Sequence, residues 1–280
     1  MGYLSAVWNV IFFLVSCSSE QQTIRAEKAL GRHDLAQSES LFRAAVQKDP
    51  KNTRALVGLG RTYQLAGERA AAAKVFDRCL RVERKNPDCL RGRSSVALSM
   101  SETTKARELI EEAYAAHPDH PGVLSSLALF RMQEGNIHKS KELYTSLTRR
   151  FPDKAEYRLG LGEAELRLRN PETAVTITEE ALKMSNTPLR YQAMLWVLRT
   201  RALITASAGR ENPEDCKGTA PQVEEWIQQA EVAMAEAEKS GIAFPDFPVL
   251  RRQVLRRRAI FEEKCPRRLW EKNDGDNPSP

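Results

Sequence analysis

Aromatic residues make up only 7% of this 280-residue chain, and glycine occupies only 14 positions. That scarcity argues against a many-stranded β protein and against a Gly-rich nucleotide-binding fold. Four histidines and five cysteines leave little material for metal chemistry. His117 and His120, in a His-Pro-Asp-His segment, lack an evident third donor, and no Ser-His-Asp order, phosphate loop or zinc spacing occurs. The expectation is a protein without catalytic residues, metal or cofactor. No apolar run reaches the ~20 residues of a membrane span; the longest candidate is 3–15. What is present is a chain 41% hydrophobic and 29% charged, too apolar for disorder and long enough to bury a core.

An excess of one charge sign is also nearly missing. The net charge is +6, and residues 249–268 account for all of it with eight basic and two acidic side chains. The remaining residues balance 35 bases against 35 acids. A neutral body therefore carries one basic segment, centred on Arg251, Arg252, Arg256, Arg257 and Arg258.

The run at 3–15 has the length of a signal-peptide core. It ends in Leu14-Val15-Ser16-Cys17, followed by polar Ser18-Ser19-Glu20. This resembles the lipobox of bacterial lipoproteins. The resemblance implies removal of residues 1–16, lipidation of Cys17 and a linker at 17–24. With no Asp after the cysteine, it implies sorting to the outer membrane, facing the periplasm. No Lys or Arg precedes Arg25, so only the α-amine would charge the start of the segment.

The body repeats. Pro118 and Pro152 close helical stretches 34 residues apart, and Pro50 lies twice that distance before Pro118. Within 53–86, Leu56, Leu59, Gly60, Tyr63, Gly67, Ala72, Phe76 and Cys79 fit the tetratricopeptide (TPR) pattern, which this stretch resembles. The register continues through 87–120 (Leu90, Ala106, Ile110, Ala113), 121–154 (Leu124, Leu127, Ala128, Gly135, Ser140, Tyr144) and 155–188 (Leu161, Gly162, Ala174, Ala181). Upstream, Ser38, Phe42 and Ala45 fit, but Gly31 falls two residues early, which predicts a longer turn or a shifted first helix. The resemblance spans about residues 20–240. It implies an all-α, right-handed TPR superhelix of about six helix-turn-helix repeats over 25–206 and beyond. The small residues let helices cross closely, and stability comes from stacking neighbours.

Past Pro188, residues 189–206 read as a long helix, 206–221 as a loop and 222–239 as a helix again. After the Pro-punctuated turn 244–248 comes a last helix whose Leu250, Val254 and Phe261 form one apolar stripe, a cap for the stack. Residues 207–271 thus hold the last repeat helix and a basic cap, and 272–280 read as a disordered tail. Cys79 and Cys89 oppose each other across a helix pair, while a Cys216–Cys265 bridge would tie the loop to the cap. Two disulfides are expected, consistent with an oxidising compartment.

In TPR proteins the first helix of each repeat faces a partner peptide. The resemblance places Arg54, Val57, Arg61 and Gln64 on that face, then Arg91, Ser95 and Leu98, then Leu129 and Met132, then Glu163 and Arg167. Such a groove starts basic and turns apolar, suiting an extended peptide with an acidic end. The resulting expectation is an outer-membrane-anchored scaffold for protein partners of the cell envelope. Its layout is similar to that of the TPR lipoproteins that serve pili and secretins. The alternatives are a general envelope or protease adaptor, or a module whose basic helix binds an anionic polymer. That polymer would be lipopolysaccharide phosphate or nucleic acid, the second disfavoured for an exported chain.

Overall fold

Short polar side chains begin many of the helices and fix where they start. Asp34, Asn52, Asn86, Asn136 and Asp215 each accept a hydrogen bond from a backbone N–H of the first turn. The structure, a computed structural model, describes residues 19–270 apart from positions 213 and 243 and the side chain of Arg268. The apolar N-terminal run, Cys17 and the tail at 272–280 lie outside the described residues.

Every regular element among the described residues is helical. Helix α1 covers residues 19–31. It is followed by α2 (Leu35–Lys48), α3 (Thr53–Leu65), α4 (Arg69–Val82), α5 (Pro87–Ser99), α6 (Thr103–Ala116) and α7 (Pro121–Gln133). Then come α8 (Ile137–Arg150), α9 (Ala155–Arg167), α10 (Pro171–Leu182), α11 (Leu189–Arg210), α12 (Cys216–Lys239) and α13 (Phe247–Lys264), with a 3-10 turn at Arg267–Leu269. The all-α class and the pairing of consecutive helices agree with the sequence. The chain divides into two compact units at Phe130, inside α7.

In the first unit each of α2 to α5 packs on the helix after it, and α3 also touches α5. Two aromatic rings make the close crossings. Phe42 and Phe76 are wholly buried. A methyl group added at Gly58 would sit 2.1 Å from the Phe42 ring, and one at Gly60 or Gly92 would sit 2.6 or 2.4 Å from Phe76. The ring of α4 is thus seated between a glycine of α3 and a glycine of α5. Cys79 and Cys89 lie in the same core as Phe42 and Leu56 and are bonded to each other, with Cα atoms 6.0 Å apart.

The turns inside the repeats share one backbone device. His33, Gly67, Ser101, Gly135 and Arg169 follow one another at intervals of 34 residues, and all have positive φ, between 62° and 84°. Gly31 is therefore not an early version of Gly67. The first turn has the same length as the others, and His33 takes the left-handed position. Neither a longer turn nor a shifted helix is present: backbone geometry recurs from turn to turn while residue type does not.

In the second unit α8 to α13 pack in succession; α9 also contacts α11, and α13 contacts α11 as well as α12. Tyr144 repeats the aromatic device against Gly160, 2.4 Å from its added methyl. The loop expected at 206–221 shrinks to 211–215. Ala206, Ser207 and Ala220 are buried, and Cys216 is bonded to Cys265 with Cα atoms 5.6 Å apart. Tertiary packing extends both helices into a Gly- and Pro-containing segment that composition alone reads as loop, and Pro221 sits inside α12 near its start.

Candidate functional site

Helices α3 and α5 bring the first set of predicted residues together. Arg54, Val57 and Arg61 from α3, with Asp88 and Arg91 from α5 and Glu27 from α1, line a cavity of about 370 Å³. Its cations are largely matched. Arg54 is held by Glu20 and by Glu27, whose Oε1 lies 2.7 Å from Nε, and Arg91 Nε donates to Asp88 at 2.6 Å. The hydrogen bond to Glu27 raises the Arg54 pKa above its ordinary value against the opposing effect of burial, with charge attraction to Glu27 and Glu20 adding to the rise. Arg61 is exposed and pairs with no described residue. The strongly basic opening read from the sequence is therefore corrected. Glu20 and Glu27 of α1, a helix outside the well-matched repeats, offset Arg54, and Asp88 of α5 itself offsets Arg91.

Farther along, Gln64 and Leu98 are half-buried, Ser95 is exposed and Leu129 is 44% exposed. Met132 is not on an open face: it is 3% exposed and belongs to the core. The residue on either side, Arg131 or Gln133, is less covered, so the helical phase at this end of α7 turns position 132 inward.

Helices α9, α11 and α13 build a second concavity, of about 540 Å³. Glu163 bridges two arginines, 2.9 Å from Arg167 Nε through one oxygen and 2.9 Å from Arg201 Nη1 through the other. Arg167 and Arg201 occupy the same position of successive repeats. The wall also includes Arg169, from the left-handed turn after α9, and Arg256 and Arg257 from α13, interspersed with Leu166, Ile204 and Ile260. Sequence reading found Glu163 and Arg167 but missed Arg201, Arg169 and Ile204. The signal available was the 34-residue step from Arg167 to Arg201, which the repeat register did not follow past Pro188.

The basic segment of α13 is not a uniform patch. Leu250, Val254, Arg257 and Phe261 are its buried positions. Arg257 is 7% exposed; its Nε donates to Ser207 Oγ at 3.0 Å, its Nη2 to Ser207 O at 2.8 Å, and it pairs with the equally buried Glu211. Arg258 contacts Glu231 and Glu224 of α12, each at 2.7 Å. Hydrogen bonds to Glu231 and then Glu224 hold its proton more tightly than usual, although burial works the other way. Burial works to raise the Glu224 pKa, but hydrogen bonds from Arg258 and Gln228 outweigh it and hold that pKa low. Arg251 reaches Glu238 at 3.3 Å. Arg252 and Arg256 remain exposed. The five-arginine patch is thereby corrected: two members are structural ties to α11, α12 and the loop between them.

The histidines do not gather ligands. His117 Nε2 lies 2.7 Å from Lys85 O, and the N–H of Val123 donates to His120 Nδ1 at 3.3 Å. Among the described residues no group of three or more His, Cys, Asp or Glu is placed to hold a metal, and no helix is long and apolar enough to cross a membrane. The groups that do assemble are guanidiniums, carboxylates and aliphatic side chains, which suit recognition of another chain.

Two family models described as tetratricopeptide repeat match residues 29–94 and 126–188. A comparison with curated proteins finds no significant match. Among solved structures, a thermophilic TPR protein of Thermus thermophilus is 14% identical over 65% of this chain and 98% of its own, with a TM-score of 0.59. The pilF protein of Pseudomonas aeruginosa is also 14% identical, over 85% of this chain and 99% of its own, with a TM-score of 0.54. A chain of the APC/C hetero-tetramer Cut9–Hcn1 is 12% identical over 88% of this chain but only 46% of its own, with a TM-score of 0.64. At such identities the likeness is one of fold.

Proposed function

The chain is a tetratricopeptide-repeat protein with the architecture of a protein-interaction scaffold, and on that premise we propose that it works in a bacterial envelope, anchored through Cys17 to the outer membrane on its periplasmic side. There it binds envelope proteins through the first helices of its repeats and assists assembly of a complex such as a pilus or secretin. The observation that carries the address is the use of cysteine. Cys79–Cys89 and Cys216–Cys265 are both bonded, an arrangement suited to an oxidising compartment. The one cysteine left over follows the apolar run ending Leu14-Val15-Ser16.

Several acyl chains on that cysteine, at ~0.8 kcal/mol per buried methylene, make an anchor that does not exchange readily. The fold shared with pilF is compatible with this role and supplies the fold alone. The test is labelled palmitate incorporation in cells. Label that disappears in Cys17→Ala, with the protein moving out of the outer-membrane fraction, supports the reading. An unlabelled protein with free thiols in the cytosol refutes it. Pull-down from solubilised envelopes then identifies the partner.

A further inference from the structure

The concavity between α9, α11 and α13 has a composition that neither the repeats nor the cap produces alone. Five guanidiniums line it (Arg167, Arg169, Arg201, Arg256 and Arg257), among the apolar side chains Leu166, Ile204 and Ile260. Two carboxylates touch this set. Glu163 serves Arg167 and Arg201, and Glu211 serves Arg257 while also pairing with Lys264 at 3.5 Å. Arg169 and Arg256, both exposed, pair with no described residue. The wall therefore holds an excess of positive charge in an open recess, which attracts an anion through a field that salt screens.

The arginines are also held in place. Arg167 and Arg201 are fixed by their shared carboxylate, and Arg257 by Ser207 and Glu211. Arg169 projects from a turn whose backbone is set by the left-handed residue itself, at φ 66°. On α13, Gln253, Arg256 and Ile260 are spaced at three and four residues, one face of the helix turned to this recess. The cap contributes both charge, through Arg256 and Arg257, and one apolar side chain, Ile260.

We propose that this recess between the last repeats and α13 binds an acidic peptide segment of a protein partner, one carrying an aliphatic side chain beside its carboxylates. The charge selects the acid. Leu166, Ile204 and Ile260 select the aliphatic group, and they favour a peptide over a phosphate polymer, which has no apolar group to place there. At about 540 Å³ the volume admits a few side chains rather than a whole domain. This proposal rests on the scaffold reading but not on its membrane address.

The experiment is a random-peptide display selection on the immobilised full chain, repeated with the Arg169→Ala/Arg256→Ala double variant. Neither substitution removes an ion pair of the fold, and far-UV circular dichroism verifies that helicity is kept. The expected consensus joins Asp or Glu to Leu, Ile or Val, and a labelled consensus peptide binds the double variant about tenfold more weakly, two exposed charge contacts together being worth about that factor. Affinity also falls as salt rises from 50 to 500 mM. Acidic peptides that bind the double variant as well as the natural chain overturn the assignment of the site, while leaving the scaffold reading intact. A selection that yields only non-acidic peptides does the same. Loss of polyphosphate binding in the double variant, with no acidic peptide selected, also overturns it, in favour of a phosphate ligand.

Discussion

If backbone geometry rather than residue type defines the turns inside the repeats, glycine exchanged into and out of the left-handed position has effects of opposite sign. Ser101 stands there at φ 64° and Gly67, one repeat earlier, at φ 79°. A left-handed conformation costs an L-residue ~1–2 kcal/mol. Glycine avoids that cost but gives back about 0.4–1 kcal/mol through its freer unfolded chain. Ser101→Gly is therefore expected to stabilise the first unit by about 0.5–1 kcal/mol, and Gly67→Ala to destabilise it by a similar amount. The pair is informative because side-chain packing drops out. A methyl at Gly67 would meet nothing within 4 Å, and the Ser101 side chain is exposed. The assay is urea unfolding followed by circular dichroism, with hydrogen exchange of the α3–α6 amides to locate the change, since stacked repeats need not unfold in one step. Destabilisation by Ser101→Gly of the size seen for glycine in a helix interior would refute the reasoning.

Other perturbations test other links. Gly92→Ala places a methyl 2.4 Å from the buried Phe76 ring and is expected to cost about 1–3 kcal/mol in the same unfolding assay. Cys265→Ser opens a link spanning 49 residues and Cys89→Ser one spanning 10, so chain entropy predicts losses of about 4 and about 2.7 kcal/mol, read by unfolding with and without reductant. Arg257→Ala leaves Glu211, 6% exposed at its side chain, without its buried partner, and is expected to cost about 3–5 kcal/mol and to loosen α13 in hydrogen exchange. His120 titrates below its ordinary value because burial disfavours its charged form, with Arg91 and His117 adding to the effect and Asp88 opposing it. Its folded pKa lies under the unfolded one, so the first unit is expected to lose stability as pH falls from 7.5 through 6.5 and below. His120→Gln removes that part of the pH dependence, as unfolding midpoints at each pH measure.

The repeat was legible because its determinants are local and periodic. Small residues at Gly60, Ala72 and Ala106, and large ones at Phe76 and Tyr144, recur at a fixed step and pack against sequence neighbours. The seat of each ring was less visible. Gly58, Gly92 and Gly160 receive Phe42, Phe76 and Tyr144 from the preceding repeat, a contact between units of the pattern rather than within one. The loop after α11 was overread because Gly209, Gly218 and Pro221 speak for a break. Buried Ala206 and Ala220 and the Cys216–Cys265 bond, which override them, act through distant partners. Of the candidate peptide face, helix position was legible and electrostatics was not. Nothing near Arg54 in sequence announces Glu20 and Glu27.

The fate of the basic segment follows from helical phase. Leu250, Val254 and Phe261 lie on one stripe of α13, and stepping three or four residues from Val254 lands on Arg257 or Arg258 before it reaches Phe261. One of the two had to turn inward, and an arginine there has to find acceptors. Arg257 takes Ser207 and Glu211, and Arg258, beside it, takes Glu224 and Glu231. Those carboxylates come from the loop and α12, so the cap draws its counter-charges from elements outside the basic run. Pairing the arginines of α13 with carboxylates of other elements cannot alter a net charge of +6; it only leaves the surplus on cations that no carboxylate reaches. Two of these, Arg169 and Arg256, stand on the wall of one recess. Buried Arg257 and half-buried Arg258 fix the cap, and the cap in turn presents Arg256 to the recess. A charge excess that the sequence displays as one linear run is thereby delivered partly to a site shared by three helices.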